Sequence, residues 1–234
     1  MTGLFDFALT ANLAAVVHIK LNRVSGVLNA VDFFHLQLNV RIDHIIGKYD
    51  SNSTSTYHLL AESLRRGHNN RSHHVGDPLF YEVPFDELLS KKRTKEFINN
   101  LSLKKATPSS KIKPLRVLNE SRDTTHYSII DKDGNAVSNT YTLGYSFGSG
   151  VTIPGTGILM NNQMNNFAYR YGDKSIEGRV GSPGNRYEPG KRPMSTMAPS
   201  MVFNKEGQLI LITGSPGGSY IPAAILRVIS GVIS

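Results

Sequence analysis

Two adjacent hydroxyls open the stretch of this sequence that reads most readily as a reaction centre. In SRDTTHYSIIDKDGNAVSNTYT (121–142), Asp123 is followed by Thr124 and Thr125, and then by the alternating residues of a β-strand. A threonine hydroxyl is a weak nucleophile at neutral pH and needs a base within hydrogen-bond reach. One such base is the threonine's own α-amine, which exists only where that residue begins a chain. An internal Thr124 gains that amine only if the Asp123–Thr124 peptide bond is cut. The first residue of a central strand would be a rigid mount for it. Taken by itself, the stretch favours a plainer reading, two β-forming threonines at a strand end.

Three further stretches carry usable chemistry. In TGSPGGS (213–219), successive backbone N–H groups at a glycine-rich turn before a helix could hold an anion or an oxyanion. A phosphate loop would end in Gly-Lys-Ser/Thr, which this stretch lacks, and alone it reads first as a turn. In KRPMSTMAPS (191–200), Ser195 and Thr196 are adjacent hydroxyl donors suited to a carboxylate. In GTGILMNNQMNNF (155–167), the amides of Asn161, Asn162, Gln163, Asn165 and Asn166 could orient a polar substrate or satisfy a loop backbone.

The elements that must position these groups change character along the chain. Residues 26–46 fit helix or strand equally. SNSTS (51–55) is a polar break with capping residues, and 56–70 follows with Leu59, Leu60 and Leu64 on one helical face. An extended link, GDPLFYEVP (76–84), leads to a helix predicted over 85–103, and a Pro- and Ser-rich connector spans 105–115. Beyond residue 124 the period becomes that of strands. Residues 125–131 and 135–143 flank a Lys-Asp-Gly turn, 200–213 repeats the design, and an apolar helix is predicted over 220–233. Helices followed by strands indicate the α+β class.

Bulk properties narrow the functions. The chain has 234 residues, 39% hydrophobic and 19% charged, an ordinary globular composition. Having no cysteine, it excludes disulfides, thiol catalysis and Cys-ligated zinc. The net charge of +8 is scattered, with one dense run at SKKRTKE (90–96) that reads as a solvated helix face, so no nucleic-acid partner is expected. No membrane span is expected, since no apolar segment reaches about eighteen residues, and no signal peptide, since Asp6 interrupts the first apolar run and no Lys or Arg precedes it. His68, His73 and His74 lack further ligands at metal spacing, and DKDGN lacks the closing Glu of a calcium loop, so no metal and no cofactor is expected. Asn52-Ser53-Thr54 and Asn119-Glu120-Ser121 match glycosylation sequons, which are common by chance.

The segments DTTHYSIIDKDGNAVSNTYTL, FGSG, GTGILMNNQM, GKRPMSTMAPS and TGSPGG occur in the order found in γ-glutamyltransferases (γ-glutamyl transpeptidases, glutathione hydrolases). The resemblance covers about 56–234, with 56–123 similar to the end of the large subunit, 124–234 to the start of the small catalytic subunit, and 1–55 divergent. It implies an N-terminal-nucleophile hydrolase, here a partial four-layer αββα sandwich, made as an inactive precursor that cleaves itself between Asp123 and Thr124 into a large/small subunit heterodimer. Thr124 Oγ would attack the γ-glutamyl amide of substrates such as glutathione, and water or an acceptor amino acid would take the acyl group. The resemblance further implies that Thr142 supports the nucleophile and that the N–H groups of Gly217 and Gly218 hold the oxyanion. Ser195 and Thr196 match the pair on the substrate α-carboxylate, and Gln163 and Asn166 match positions that receive its α-amino group. By family analogy the location is periplasmic or secreted.

Several positions depart from the family pattern. Gly144 stands where the family has Asn, Asn166 where it has Asp, and Glu177 at the place of the lid tyrosine of some members. A neutral amide at 166 gives up a charge-assisted contact worth about 1.5–3 kcal/mol to a substrate ammonium. That points to glutaryl-type amides, the substrates of related acylases. Family precursors are more than twice this long, and the arginine that pairs with the substrate carboxylate is missing. The chain is therefore expected to be an internal fragment of a longer precursor, and an inactive remnant or pseudoenzyme is the alternative.

Overall fold

The computed structural model describes residues 49–88, 90–112, 123–168, 183–204 and 206–233. Residues 1–48, the second sequon and Glu177 lie outside them. Helix α1 spans Thr54–His74, four residues longer at its end than the apolar spacing predicts. It starts where it does because the Ser53 side chain accepts from the Thr56 N–H at 3.2 Å, satisfying an otherwise orphaned first-turn donor. The predicted single helix over 85–103 is divided into α2 (Phe85–Leu88) and α3 (Lys91–Asn99). The divider is Ser90, whose extended backbone and side-chain bond to the Arg93 N–H make it a helix cap rather than an interior residue.

Among the described residues, the α1–α3 region has two small apolar clusters. Leu59 packs with Tyr49, Phe97 and Leu101. Val75, Val83, Leu88 and Met194 form the second with Tyr81 and Phe85, so a residue from the distant KRPMST stretch helps to close it.

Strands β1 (Thr125–Ile130) and β2 (Ala136–Tyr141) pair antiparallel, from Thr125 opposite Tyr141 to Ile130 opposite Ala136. The turn follows the Asp-Gly signal. Gly134 has φ 82°, and the Asp131 carboxylate accepts from the N–H groups of Asp133 and Asn135. Strands β3 (Ser200–Phe203) and β4 (Leu209–Thr213) form a second antiparallel hairpin, irregular at Val202/Phe203. The hairpins meet where Ser138 Oγ donates to the Thr213 carbonyl at 3.1 Å.

Helix α4 (Ile221–Ile233) lies against β4. Its Ile221, Ile225, Leu226 and Ile229 recur at helical spacing and are fully buried. Burial of each such side chain contributes about 1.5–3 kcal/mol before entropy is counted. The mixture of a helical half and paired hairpins is an α+β arrangement.

Candidate active site

Thr124 immediately precedes β1 and is only 9% exposed, so it sits at a largely buried strand end. The β1–β2 register continued by one step sets Thr142 across from it. Two residues along the same face, His126 bonds Thr140 Oγ1 through Nδ1 at 2.8 Å and Ser128 Oγ through Nε2 at 3.0 Å. Burial holds the His126 pKa below its ordinary value, which favours the neutral ring. On the other side of the expected cleavage point, Ser146 Oγ donates to the Asp123 carboxylate at 2.6 Å.

The glycine-rich turn starts at Thr213, the residue bonded to Ser138. A Cβ on Gly214 would fall on the His126 ring, so glycine is required there for turn and hairpin to approach this closely. Gly217 (φ 124°) and Gly218 (φ 55°) both have positive φ, a conformation that suits glycine. They lead through the 3-10 turn Gly218–Tyr220 into α4. Among the described residues neither of their N–H groups is paired with an acceptor, although Gly218 is buried. Unpaired amides at a helix start suit an anion or a developing oxyanion.

The amide-rich stretch forms a 3-10 turn over Gln163–Asn166. It is tied to the end of β2 by the Asn162 N–H on the Leu143 carbonyl at 2.8 Å and by a long contact, 3.5 Å, from Gln163 Nε2 to the Thr142 carbonyl. Asn166 Nδ2 donates to Gln163 Oε1 at 2.5 Å. Gly144, at φ 97°, has no room for a side chain, because the Asn162 carboxamide fills the space that a Cβ would take.

Ser195 and Thr196 lie in a run outside any helix or strand, Thr196 buried and Ser195 Oγ accepting from the Met197 N–H. The run is held by Arg192, whose Nε and Nη2 reach the Asp77 carboxylate at 3.0 and 2.7 Å, while its backbone N–H adds 2.9 Å. Hydrogen bonds from Arg192, which outweigh burial, hold the Asp77 pKa down at about 2. Sequence reasoning missed Asp77, Arg192, His126, Ser146 and Asn185. Only His126, next to the threonine pair, carried a visible hint, since the others act through bonds across long separations.

Thr124, Thr142, Gln163 and Asn166 are thus linked through β2, and Gly217 and Gly218 through β4. Ser195 and Thr196 are linked to Asn166 only through Asn185 among these bonds. Elsewhere, a cleft of about 970 Å³ opens between α1 and α3, but none of the predicted site residues lines it. Among the described residues, no group of three His, Asp or Glu side chains is placed to hold a metal, and no helix is long and apolar enough to cross a membrane.

An α+β scaffold that mounts a buried threonine at a strand head, beside a glycine turn with free amides, suits acyl transfer through a hydroxyl nucleophile. The family model described as Gamma-glutamyltranspeptidase matches residues 28–234, and the chain belongs to that family. The glutathione hydrolase proenzyme of Escherichia coli is 41% identical over 193 residues, covering 82% of this chain and 33% of that protein. The glutathione hydrolase proenzyme of Pseudomonas aeruginosa is 39% identical over 220 residues, covering 94% of this chain and 35% of that protein. The chain therefore spans about a third of the length of these relatives. The crystal structure of cephalosporin acylase from Bacillus halodurans superposes with a TM-score of 0.68 at 23% identity, over 99% of this chain and 38% of that one, a likeness of fold.

Proposed function

We propose that this chain carries the nucleophile and oxyanion parts of a self-cleaving γ-glutamyl amide hydrolase and acyltransferase. In this reading Thr124 Oγ first attacks the Asp123 carbonyl carbon, and the peptide C–N bond breaks as the nitrogen takes up a proton. Water then hydrolyses the resulting ester, leaving Asp123 as a new C-terminus and Thr124 with a free α-amine. That amine accepts the Oγ proton as Oγ attacks the γ-carbonyl of a substrate such as glutathione. The N–H groups of Gly217 and Gly218 receive the negative oxygen, the leaving amine departs with the proton, and water or an amino acid releases the acyl group. Loss of one oxyanion donor costs about 3 kcal/mol of transition-state stabilisation.

The observation that carries the reading is the pair of amides at Gly217 and Gly218 that have no partner among the described residues, on a turn anchored to the hairpin that Thr124 heads. The rest of the assignment goes with it. Residues 56–123 and 124–234 are the adjoining parts of two subunits in a four-layer αββα sandwich, with 1–55 a divergent segment. Thr142 assists the nucleophile, Gln163 and Asn166 meet the α-amino end, and Ser195 and Thr196 hold the α-carboxylate. A periplasmic or secreted location fits this class. The intact mass of the purified chain tests it. Two products divided between Asp123 and Thr124, and a single mass for Thr124→Ala, are expected; an uncut wild-type chain overturns self-cleavage and supports an inactive remnant.

A second reading, a glutaryl-type amide acylase, is favoured by one contact. Asn166 is neutral and gives a hydrogen to Gln163 rather than holding a negative charge ready for an ammonium group. Turnover of a glutaryl anilide at or above the rate for the γ-glutamyl anilide would support it, and a strong γ-glutamyl preference would exclude it.

A further inference from the structure

Asn185 is 3% exposed and lies in a short 3-10 turn, Pro183–Asn185, between the two segments that the proposed function uses to hold substrate. Its Nδ2 donates to the Asn166 carbonyl at 2.6 Å. Its Oδ1 accepts from the Met194 N–H at 3.1 Å. The backbone adds a short parallel bridge, with the Ala168 N–H on the Asn185 carbonyl at 2.8 Å and the Tyr187 N–H on the Ala168 carbonyl at 3.1 Å. Phe167 meets Tyr187 edge to face, with ring centroids 5.6 Å apart.

We propose that Asn185 is a positioning residue, a buried clamp that fixes the Gln163–Asn166 amide turn at a set distance from the Ser195–Thr196 hydroxyl pair and so determines the length of acyl group the site accepts. This rests on the functional reading above for the roles of those four residues. The clamp itself rests on the bonds just given. A buried carboxamide is tolerated only when both of its ends are satisfied, and here each end is spent on a different substrate-holding segment. The hydroxyl segment is already held where Asn185 meets it. Arg192 is locked to Asp77, and Met194 is buried against Val75, Val83 and Leu88. The amide turn is rigid at its own far side through Asn162 and Leu143. Asn185 is a side chain that bonds both of these fixed ends.

Two variants separate the arms of the clamp. Asn185→Asp keeps an acceptor for the Met194 N–H but has no donor for the Asn166 carbonyl; Asn185→Ala loses both. Site-resolved hydrogen exchange on the full chain reads the clamp whether or not the chain turns over. In Asn185→Ala the Met194 amide is expected to exchange at least tenfold faster, with α4 amides unchanged. In Asn185→Asp the Met194 amide stays protected while amides over 163–168 exchange faster. Unchanged exchange at 163–168 in the Asp variant overturns the clamp, and so does acceleration spread evenly over the chain. Where the wild-type chain cleaves and hydrolyses the anilide, both variants are expected to cleave normally. The KM for the anilide should rise at least tenfold with kcat within about threefold, and the preference between γ-glutamyl and shorter β-aspartyl anilides should narrow. A fall in kcat at constant KM overturns the positioning role. A wild-type chain that never cleaves defeats the functional reading alone, and the exchange data still decide the clamp.

Discussion

The α1–α3 region and the β1–β2 hairpin with the loops that follow it are built to opposite standards of self-sufficiency. In the first, one carboxylate is enclosed and fully paired, although Leu79, Tyr57 and Phe80 are open. Glu62 is 2% exposed, yet it accepts from Arg65 and Arg66 and from the Thr107 N–H. Burial raises its pKa, but the hydrogen bonds from Thr107 and Arg66 and the Arg66 charge outweigh that and hold it at about 2. In the second, large apolar side chains face outward: Ile130 is 60% exposed and Phe147 71%, and Tyr127, Ile129, Val137 and Tyr141 are also open. An isolated two-stranded hairpin is marginal in water, and strands with apolar residues on both faces are suited to cover on both. The proposed chemistry would therefore be mounted on the region that depends most on its neighbours. That region is held to the helices by Arg192 on Asp77, and by Arg227 of α4, which reaches Asn52 Oδ1 at 2.7 Å and lies over the Tyr57 ring.

If this contrast is right, cutting the joint has the largest effect. Asp77→Ala leaves Arg192 without its partner and also frees the Leu79 N–H. Because the Arg192 side chain left behind is 28% exposed, the cost falls at the lower end of the about 3–5 kcal/mol of a fully buried pair broken from one side. Urea unfolding followed by helical circular dichroism and by tyrosine fluorescence should give coincident curves for the wild type. In the variant the tyrosine curve should move to lower urea first, because seven of the ten tyrosines follow residue 123, Tyr127 and Tyr141 of the hairpin among them. Coincident curves in both would break the comparison. A smaller effect is expected from Ile225→Ala, which opens a cavity where α4 covers β4. The cost is about 2–5 kcal/mol, toward the lower end if the exposed surroundings of α4 collapse into the space. Its signature is loss of the β3–β4 hairpin with α1 intact.

The same contrast explains what was legible in the sequence. Hairpin turns were readable because Asp-Gly and Gly at positive φ are local requirements, met at Gly134 and Gly207. The start of α1 was readable because Ser53 caps it. The break at Ser90 was not, because the apolar spacing runs on through it and only the cap geometry reveals the division. At the site, Thr124 and the glycine turn were visible as unusual local chemistry. The bonds that join the pieces, Asp77 to Arg192 and Asn185 to Asn166 and Met194, span separations that no local pattern encodes.

Acid should act on the two regions unequally. Asp77 has a folded pKa of about 2 against an ordinary 3.8. Its stabilisation is therefore fully present above the ordinary value and is lost as pH falls through the folded one, about 2 kcal/mol in all. Glu62 adds to the same acid window from 4.5 down to about 2. His68 acts earlier: burial, then the Arg71 charge, lower its pKa from 6.5 to about 4, so the unfolded chain takes up a proton that the folded chain refuses, and stability falls as pH drops across that range. All three groups lie in α1 or the link after it. Acid titration should thus weaken the enclosed helical region and the joint, and Asp77→Asn should flatten the lower part of the profile. A profile equally steep in the variant would assign the acid sensitivity elsewhere.

The smallest expected effects are the sharpest test, because two substitutions of similar cost should have different consequences. Ser53→Ala removes the cap of α1 and costs about 1 kcal/mol. Gly134→Ala meets no neighbouring atom but forces a Cβ into positive φ at 82°, which costs about 1–2 kcal/mol. In the enclosed region the lost cap frays one turn. Tyr57 sits in that turn, so the loss is felt at Arg227 and α4 as well, and a double variant Ser53→Ala/Arg227→Ala should cost less than the sum of its parts. In the open hairpin the turn is remote from every joint, so Gly134→Ala should add independently to either. Coupling at Gly134 but not at Ser53 would mean that the hairpin, not α1, transmits strain through the fold.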